Sequence, residues 1–179
     1  MKKVLIVDCG DVGNEPEVLR QPLENFGYFV AIQRIGRPND LIALLGGDLV
    51  FEPDYVILSC HGVNGELCMP ALAESIYEPG EPRGNMAAAD IDKCLKLKGK
   101  VIINTGCMTG TEEMAKAFSK QNIYIAPKDY VEGNAAVYFL ISLFYELCKE
   151  GVSLKDAFEI AKATDSETGL FEMFSKEAR

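Results

Sequence analysis

The strongest constraint on this chain is its first apolar run. Lys3-Val-Leu-Ile-Val-Asp8 has no polar interruption and is rich in β-branched residues, the pattern of a strand covered on both faces rather than one with a wet side. Runs of the same kind return at residues 28–33, 55–60, 101–105 and 123–126. Between them the apolar residues fall at helical spacing. In 16–26, Val18, Leu19, Leu23 and Phe26 share a face, and Gly27 is a good stop. A short helix capped by Asn39 or Asp40 runs to Leu45 and ends at Gly46-Gly47. Further helices are expected over 90–97, over 111–120 with Thr109 or Thr111 as N-cap, and over 134–149 and 153–163.

Strands alternating with helices at this spacing imply βαβ units with right-handed crossovers. The expected fold is α/β: three layers, a doubly wound and mostly parallel sheet with helices on both faces, as a single domain over residues 1–179. A chain of 179 residues buries enough surface to hold a core without disulfide or metal staples. One stretch breaks the rhythm: 62–89 holds Pro70, Pro79 and Pro82, and so long a loop inside a compact domain is usually functional. The segment 67–78 is its place for a short helix or hairpin. Strands two and five are expected at the sheet edges, open to pairing with another copy.

Composition narrows the partners. With 18 basic and 27 acidic residues, the formal net charge is −9, which repels phosphate backbones and argues against nucleic acid. The densest basic cluster, Lys93, Lys96, Lys98 and Lys100, reads as one solvated helix face. Every apolar run falls far short of the roughly 20 residues a membrane span needs. The first run also ends at Asp8 too early for a signal peptide. A cytoplasmic protein with no membrane partner is expected. The six cysteines include no Cys-x-x-Cys pair and the chain has one histidine, so neither a disulfide framework nor a metal site is read, and no cofactor. Most of these thiols read as small buried hydrophobes, Cys60 among them.

Ligands of an open parallel sheet bind beyond the carboxyl ends of its strands. The groups placed there are Asp8-Cys9-Gly10-Asp11, Ser59-Cys60-His61-Gly62 and Thr105-Gly106-Cys107. If the third and fourth strands are neighbours, His61 and Cys107 emerge on tips about 5 Å apart, within reach for an imidazole to take a thiol proton. Cys107 also precedes an expected helix N-terminus, which favours a thiolate. The backbone N–H groups of Gly62 and Cys107 can form an oxyanion hole. The residues alone leave rivals open. His61 can be a turn residue and Cys107 a buried thiol. The turn 105–111 can instead cradle an anion, as in a flavodoxin-like anion- or nucleotide-binding module. Asp8 and Asp11, with Asp129 and Glu132 after the fifth strand, either line an acidic substrate pocket for Lys or Arg side chains or cap turns.

The order strand–His61-Gly62, insertion, strand–Cys107 resembles the caspase-like (clan CD) cysteine peptidases, and among them the CHAT-type domains related to separases. Ala88-Ala-Asp-Ile-Asp-Lys-Cys-Leu-Lys-Leu-Lys-Gly-Lys-Val-Ile-Ile-Asn-Thr-Gly-Cys-Met-Thr-Gly110 resembles their helix, strand and nucleophile turn. Phe144-Tyr-Glu-Leu-Cys-Lys-Glu-Gly151, Ser153-Leu-Lys-Asp-Ala157 and Ala161 resemble their closing helices. The likeness runs over residues 50–165. It departs at Gly106, where the family often has Ala, and at Ala126-Pro-Lys-Asp-Tyr130, which replaces a tryptophan-containing stretch. The resemblance implies a caspase-like fold and a peptide or protein substrate. It makes His61 the general base or orienting group and Cys107 the nucleophile of an acyl-enzyme that water hydrolyses. A catalytically silent caspase-like interaction domain is the remaining reading.

Overall fold

A computed structural model describes residues 1–176. In chain order the elements are β1 (Lys3–Asp8), α1 (Glu15–Asn25), β2 (Phe29–Arg34), α2 (Pro38–Leu45), β3 (Tyr55–Ser59), β4 (Gly62–Val63), β5 (Glu66–Leu67), α3 (Ala88–Cys94), β6 (Val101–Asn104), α4 (Glu112–Ser119), β7 (Ile123–Pro127), α5 (Gly133–Leu147), α6 (Leu154–Lys162) and β8 (Phe171–Ser175). The main sheet has the order β2-β1-β3-β6-β7-β8. Its first five strands are parallel, and β8 pairs antiparallel with β7. The chain winds outward from β1 to β2 and then back across to β3. The sheet therefore changes winding direction between β1 and β3, where open α/β sheets bind ligands.

Alternation along each strand builds the three layers. Val4 and Ile6 point to one face and pack with Leu19 and Leu23 of α1, Phe139 and Leu143 of α5, and Phe158 of α6. Leu5 and Val7 point to the other and pack with Leu41 and Leu44 of α2, Ile91 of α3 and Phe118 of α4. Both faces of β1 are thus dry, as its unbroken apolar run requires. The α/β, doubly wound architecture is as the sequence indicated. Among the described residues, no helix is long and apolar enough to cross a membrane.

Three details differ from expectation. β8 covers the edge that the fifth strand, β7, was expected to leave open; Phe171 anchors it by stacking on Phe139 at 4.0 Å between ring centroids. A hairpin sits at 62–67 rather than within 67–78, its turn made by Asn64 and Gly65 at φ 51° and 79°, the left-handed pair that a two-residue hairpin loop demands. Residues 68–87 are irregular apart from a bridge between Leu67 and Met86. Arg37, the residue that precedes α2, ties this segment down: its guanidinium forks onto the buried Glu81 carboxylate, which also accepts the Asn39 and Glu78 N–H groups. Lastly, α3 stops at Cys94, so Lys96, Lys98 and Lys100 lie on the connection to β6 rather than on a helix face.

Candidate active site

β3 and β6 are direct parallel neighbours, with Leu58 opposite Asn104. Continued past the strand ends, that register sets His61 opposite Cys107. The two turns are packed together through their backbones. A methyl group on Gly62 would lie 2.2 Å from the Cys107 carbonyl oxygen and 3.0 Å from its nitrogen, so glycine is required there by contact alone. At Gly106 an added methyl would meet the Asn104 side-chain oxygen, the Cys60 sulfur and the Gly62 nitrogen, each at 3.1 Å. A side chain at this position would require its neighbours to give way.

His61 is exposed and lies over the β1 tip, where its Nε2 is 3.0 Å from the Asp11 carbonyl oxygen. A carbonyl has no proton to give, so Nε2–H is the donor and Nδ1 keeps the free lone pair. Asp11 offers that carbonyl because Gly10 and Asp11 both adopt left-handed backbone, φ 85° and 52°. Beside the ring is a cavity of about 300 Å³ walled by Cys9, Asp11, Cys68, Met69 and Pro70. Burial raises the Cys68 thiol above its ordinary value, with Glu66 and Cys107 adding to the rise.

Cys107 is half-buried. Its sulfur accepts from the Val131 N–H at 3.5 Å and lies 3.5 Å from the Val131 carbonyl. The next residue, Met108, is held at φ 58°, an uncommon conformation for a side-chain-bearing residue. Its N–H donates to Asp129 O, and Gly110 N–H to Pro127 O. Gly106 N–H is taken by the Asn104 side chain and Thr109 N–H by Gly106 O. With these four donors turned inward, the 105–111 turn has too few free N–H groups to cradle an anion. The Cys107 N–H has no acceptor among the described residues. The helix expected to sustain a Cys107 thiolate is more distant than the sequence implied. α4 begins only at Glu112, capped by Thr111, and a helix field fades within a turn. Thr109, the other candidate cap, is buried and bonds Gly106 O instead.

The acidic candidates do not converge. Asp8 accepts the Gly10 N–H and faces Arg34 at 3.6 Å. Asp129 accepts the Tyr130 N–H. Only Asp11 borders the cavity at His61, while Glu132 lines a separate hollow of about 380 Å³ with Glu15. Among the described residues, no three or more His, Cys, Asp or Glu groups are placed to hold a metal ion. Cys60 is buried, as expected; its thiol donates to Asn104 and is pushed up chiefly by the Cys9 thiol beside it.

Two residues that sequence reasoning passed over belong to the site. Asn104 organises the nucleophile turn: its oxygen takes Gly106 N–H and its amide reaches Tyr124, whose hydroxyl donates to Thr109 O. A polar residue ending a buried strand was the available signal. Glu15 is the other. Its carboxylate takes hydroxyl bonds from both Ser59 and Thr105. Burial raises its pKa, against the pull of those bonds and of His61.

No family model matches the sequence, and no curated protein does. Solved structures do match. The crystal structure of gingipain R, an Arg-specific cysteine proteinase, superposes with a TM-score of 0.59 at 10% identity, covering 97% of this chain and 46% of that one. The fold is caspase-like. This chain spans less than half the length of the gingipain R chain it matches, and the likeness is one of fold.

Proposed function

We propose that this caspase-like chain, as a single unit over 1–179, is a cysteine endopeptidase of CHAT type. In this reading Cys107 is the nucleophile and His61 its base. One observation supports it: β3 and β6 are adjacent parallel strands, so the turns that carry the only histidine and Cys107 leave neighbouring strand tips, and Nδ1 of that histidine keeps its lone pair. Nδ1 takes the thiol proton as sulfur attacks the peptide carbonyl carbon. The developing oxyanion is met by the N–H groups of Gly62 and Cys107. Leu67, opposite Gly62 in the hairpin, spends its N–H and carbonyl on Met86. The Gly62 N–H is therefore not spent on Leu67. The C–N bond then breaks, the imidazolium proton goes to the leaving amine, and an acyl-enzyme remains on Cys107. Water, deprotonated by His61, hydrolyses it and restores the thiol.

The substrate is a peptide or protein, without nucleic acid, membrane, metal or cofactor. The six free thiols suit a reducing compartment, and the reading is of a cytoplasmic protein. An acidic pocket from Asp8, Asp11 and Asp129 is its weaker part, because Asp8 and Asp129 are engaged in turns.

Alkylation decides the matter. At neutral pH an acyloxymethylketone or iodoacetamide is expected to modify Cys107 faster than the exposed Cys148. His61→Ala should slow Cys107 by about 100-fold, the ordinary scale of general-base assistance. Equal rates at Cys107 and Cys148 in the natural protein overturn the proposal.

A further inference from the structure

Glu15 opens α1, far in sequence from the two turns of the candidate site, yet one of its carboxylate oxygens bonds to both. Ser59 Oγ donates to Glu15 Oε1 at 2.6 Å, and Thr105 Oγ1 donates to the same oxygen at 2.8 Å. Ser59 is two residues before His61, and Thr105 two before Cys107. Both are buried. Thr105 has one hydroxyl proton and a second possible acceptor, Leu58 O at 3.3 Å; the shorter contact goes to Glu15. Its oxygen in turn accepts the Cys60 N–H at 3.4 Å. The chain of bonds therefore runs Cys60 N–H to Thr105 Oγ1, Thr105 O–H to Glu15, and Ser59 O–H to Glu15. Glu15 also ends the 10–14 turn, whose Asp11 carbonyl holds the His61 ring. Glu15 thus links the turns that follow β1, β3 and β6.

We propose that Glu15 is a positioning residue, an oxygen clamp that holds the His61 and Cys107 turns in register across the β3–β6 seam. Its functional consequence rests on the His61–Cys107 reading, whereas the clamp itself is a statement about the two turns. The parallel ladder ends at Leu58–Asn104, so beyond it no strand pairing fixes the separation of the reacting groups. Side-chain hydroxyls on a shared acceptor replace the missing ladder. An acceptor oxygen is what the clamp needs, and both glutamate and glutamine supply one. Reacting groups displaced by about 1 Å lose roughly 100-fold in rate, so a loose seam is costly.

The test compares Glu15→Gln, Glu15→Ala and Thr105→Val in the full chain by two readouts. Amide hydrogen exchange follows residues 59–62 and 105–108. Iodoacetamide labelling follows the ratio of Cys107 to Cys148 rates, Cys148 being exposed and remote. In Glu15→Ala both turns should exchange faster together, with protection unchanged in the β1 and β7 cores, and the labelling ratio should fall about tenfold or more. Glu15→Gln should keep both turns protected and the ratio within about twofold, because the acceptor remains. Thr105→Val, which removes one hydroxyl without changing volume much, should loosen both turns. Combining it with Glu15→Ala should add little, as for groups acting in one network. If Glu15→Ala does not fold, Thr105→Val decides by the same two readouts. Unchanged exchange in both turns, or loosening of one alone, overturns the clamp. So does a Glu15→Gln variant as impaired as Glu15→Ala. A natural protein whose Cys107 labels no faster than Cys148 defeats the peptidase reading instead, and the exchange arm still judges the clamp.

Discussion

The backbone of Gly62 rests on that of Cys107, with space for a hydrogen atom between them and none for a methyl group. Strand pairing brings the tips of β3 and β6 side by side, and this contact sets how close the turns beyond them come.

Gly62→Ala is accordingly expected to force the turns apart. The new methyl would approach the Cys107 carbonyl at 2.2 Å and the Thr109 methyl at 2.7 Å, and neither neighbour is the free end of a flexible chain. A loss of about 3 kcal/mol in urea unfolding, the upper range for overpacking, should accompany slowed Cys107 alkylation. Unaltered stability would show that the turns yield more easily than their packing suggests.

Glu15 carries its charge at a cost. Burial lifts its carboxyl above the ordinary carboxylate range, with Asp8 adding to the rise and with Ser59, Thr105 and His61 opposing it. The folded state therefore holds a proton here more tightly than the unfolded one, whose value is about 4.3. The stabilisation from that proton is complete below the unfolded value and is lost as pH rises through the raised one. Glu15→Gln, uncharged throughout, should melt above the natural protein at pH 7, and the gap should close as the solution is acidified. A gap independent of pH would contradict this assignment.

Glu81 behaves in the opposite sense. Arg37 first, then the Glu78 and Asn39 N–H groups, hold its carboxyl down to about 2 against the effect of burial. Its contribution is present above the unfolded value of about 4.3 and disappears as pH falls toward 2. Limited proteolysis within 68–87 should be slow at pH 6 and accelerate in acid. Glu81→Gln should make that segment susceptible already at pH 6 and flatten the acid response. A segment that stays resistant in Glu81→Gln would mean that the Arg37 fork is not what anchors it.

Phe171→Ala removes the ring that stacks on Phe139 at 4.0 Å and anchors β8. A fully buried phenylalanine truncated in this way costs about 3–5 kcal/mol. Beyond the lower melting temperature, the freed β7 edge should promote self-association, visible by light scattering. Loss of stability without association would show that β8 stays paired through its backbone.

Much of the fold was legible because its signals are local. The first strand's unbroken apolar run is dry on both sides for the same reason that it reads as a buried strand. The Asn64-Gly65 turn was also readable, and was obscured only by the proline-rich stretch that follows it. β8 was not readable in the same way: Phe171-Glu-Met-Phe-Ser175 is short and mixed, and it is a strand because Phe139 and the open β7 edge await it. Glu15 looks in sequence like any acid favouring a helix N-terminus. Its bonds to Ser59 and Thr105 cross 44 and 90 residues of chain, a separation that no local pattern encodes.

The amino-acid order by itself determined the layered α/β plan and the set of reactive side chains at the strand ends, since runs, caps and turn dipeptides act through near neighbours. Only the tertiary structure decided which ends adjoin, that Asp11 turns its carbonyl to His61, and that one carboxylate spans the seam. Those outcomes depend on winding direction and on backbone contacts such as that of Gly62 with Cys107, which exist only after distant segments have packed.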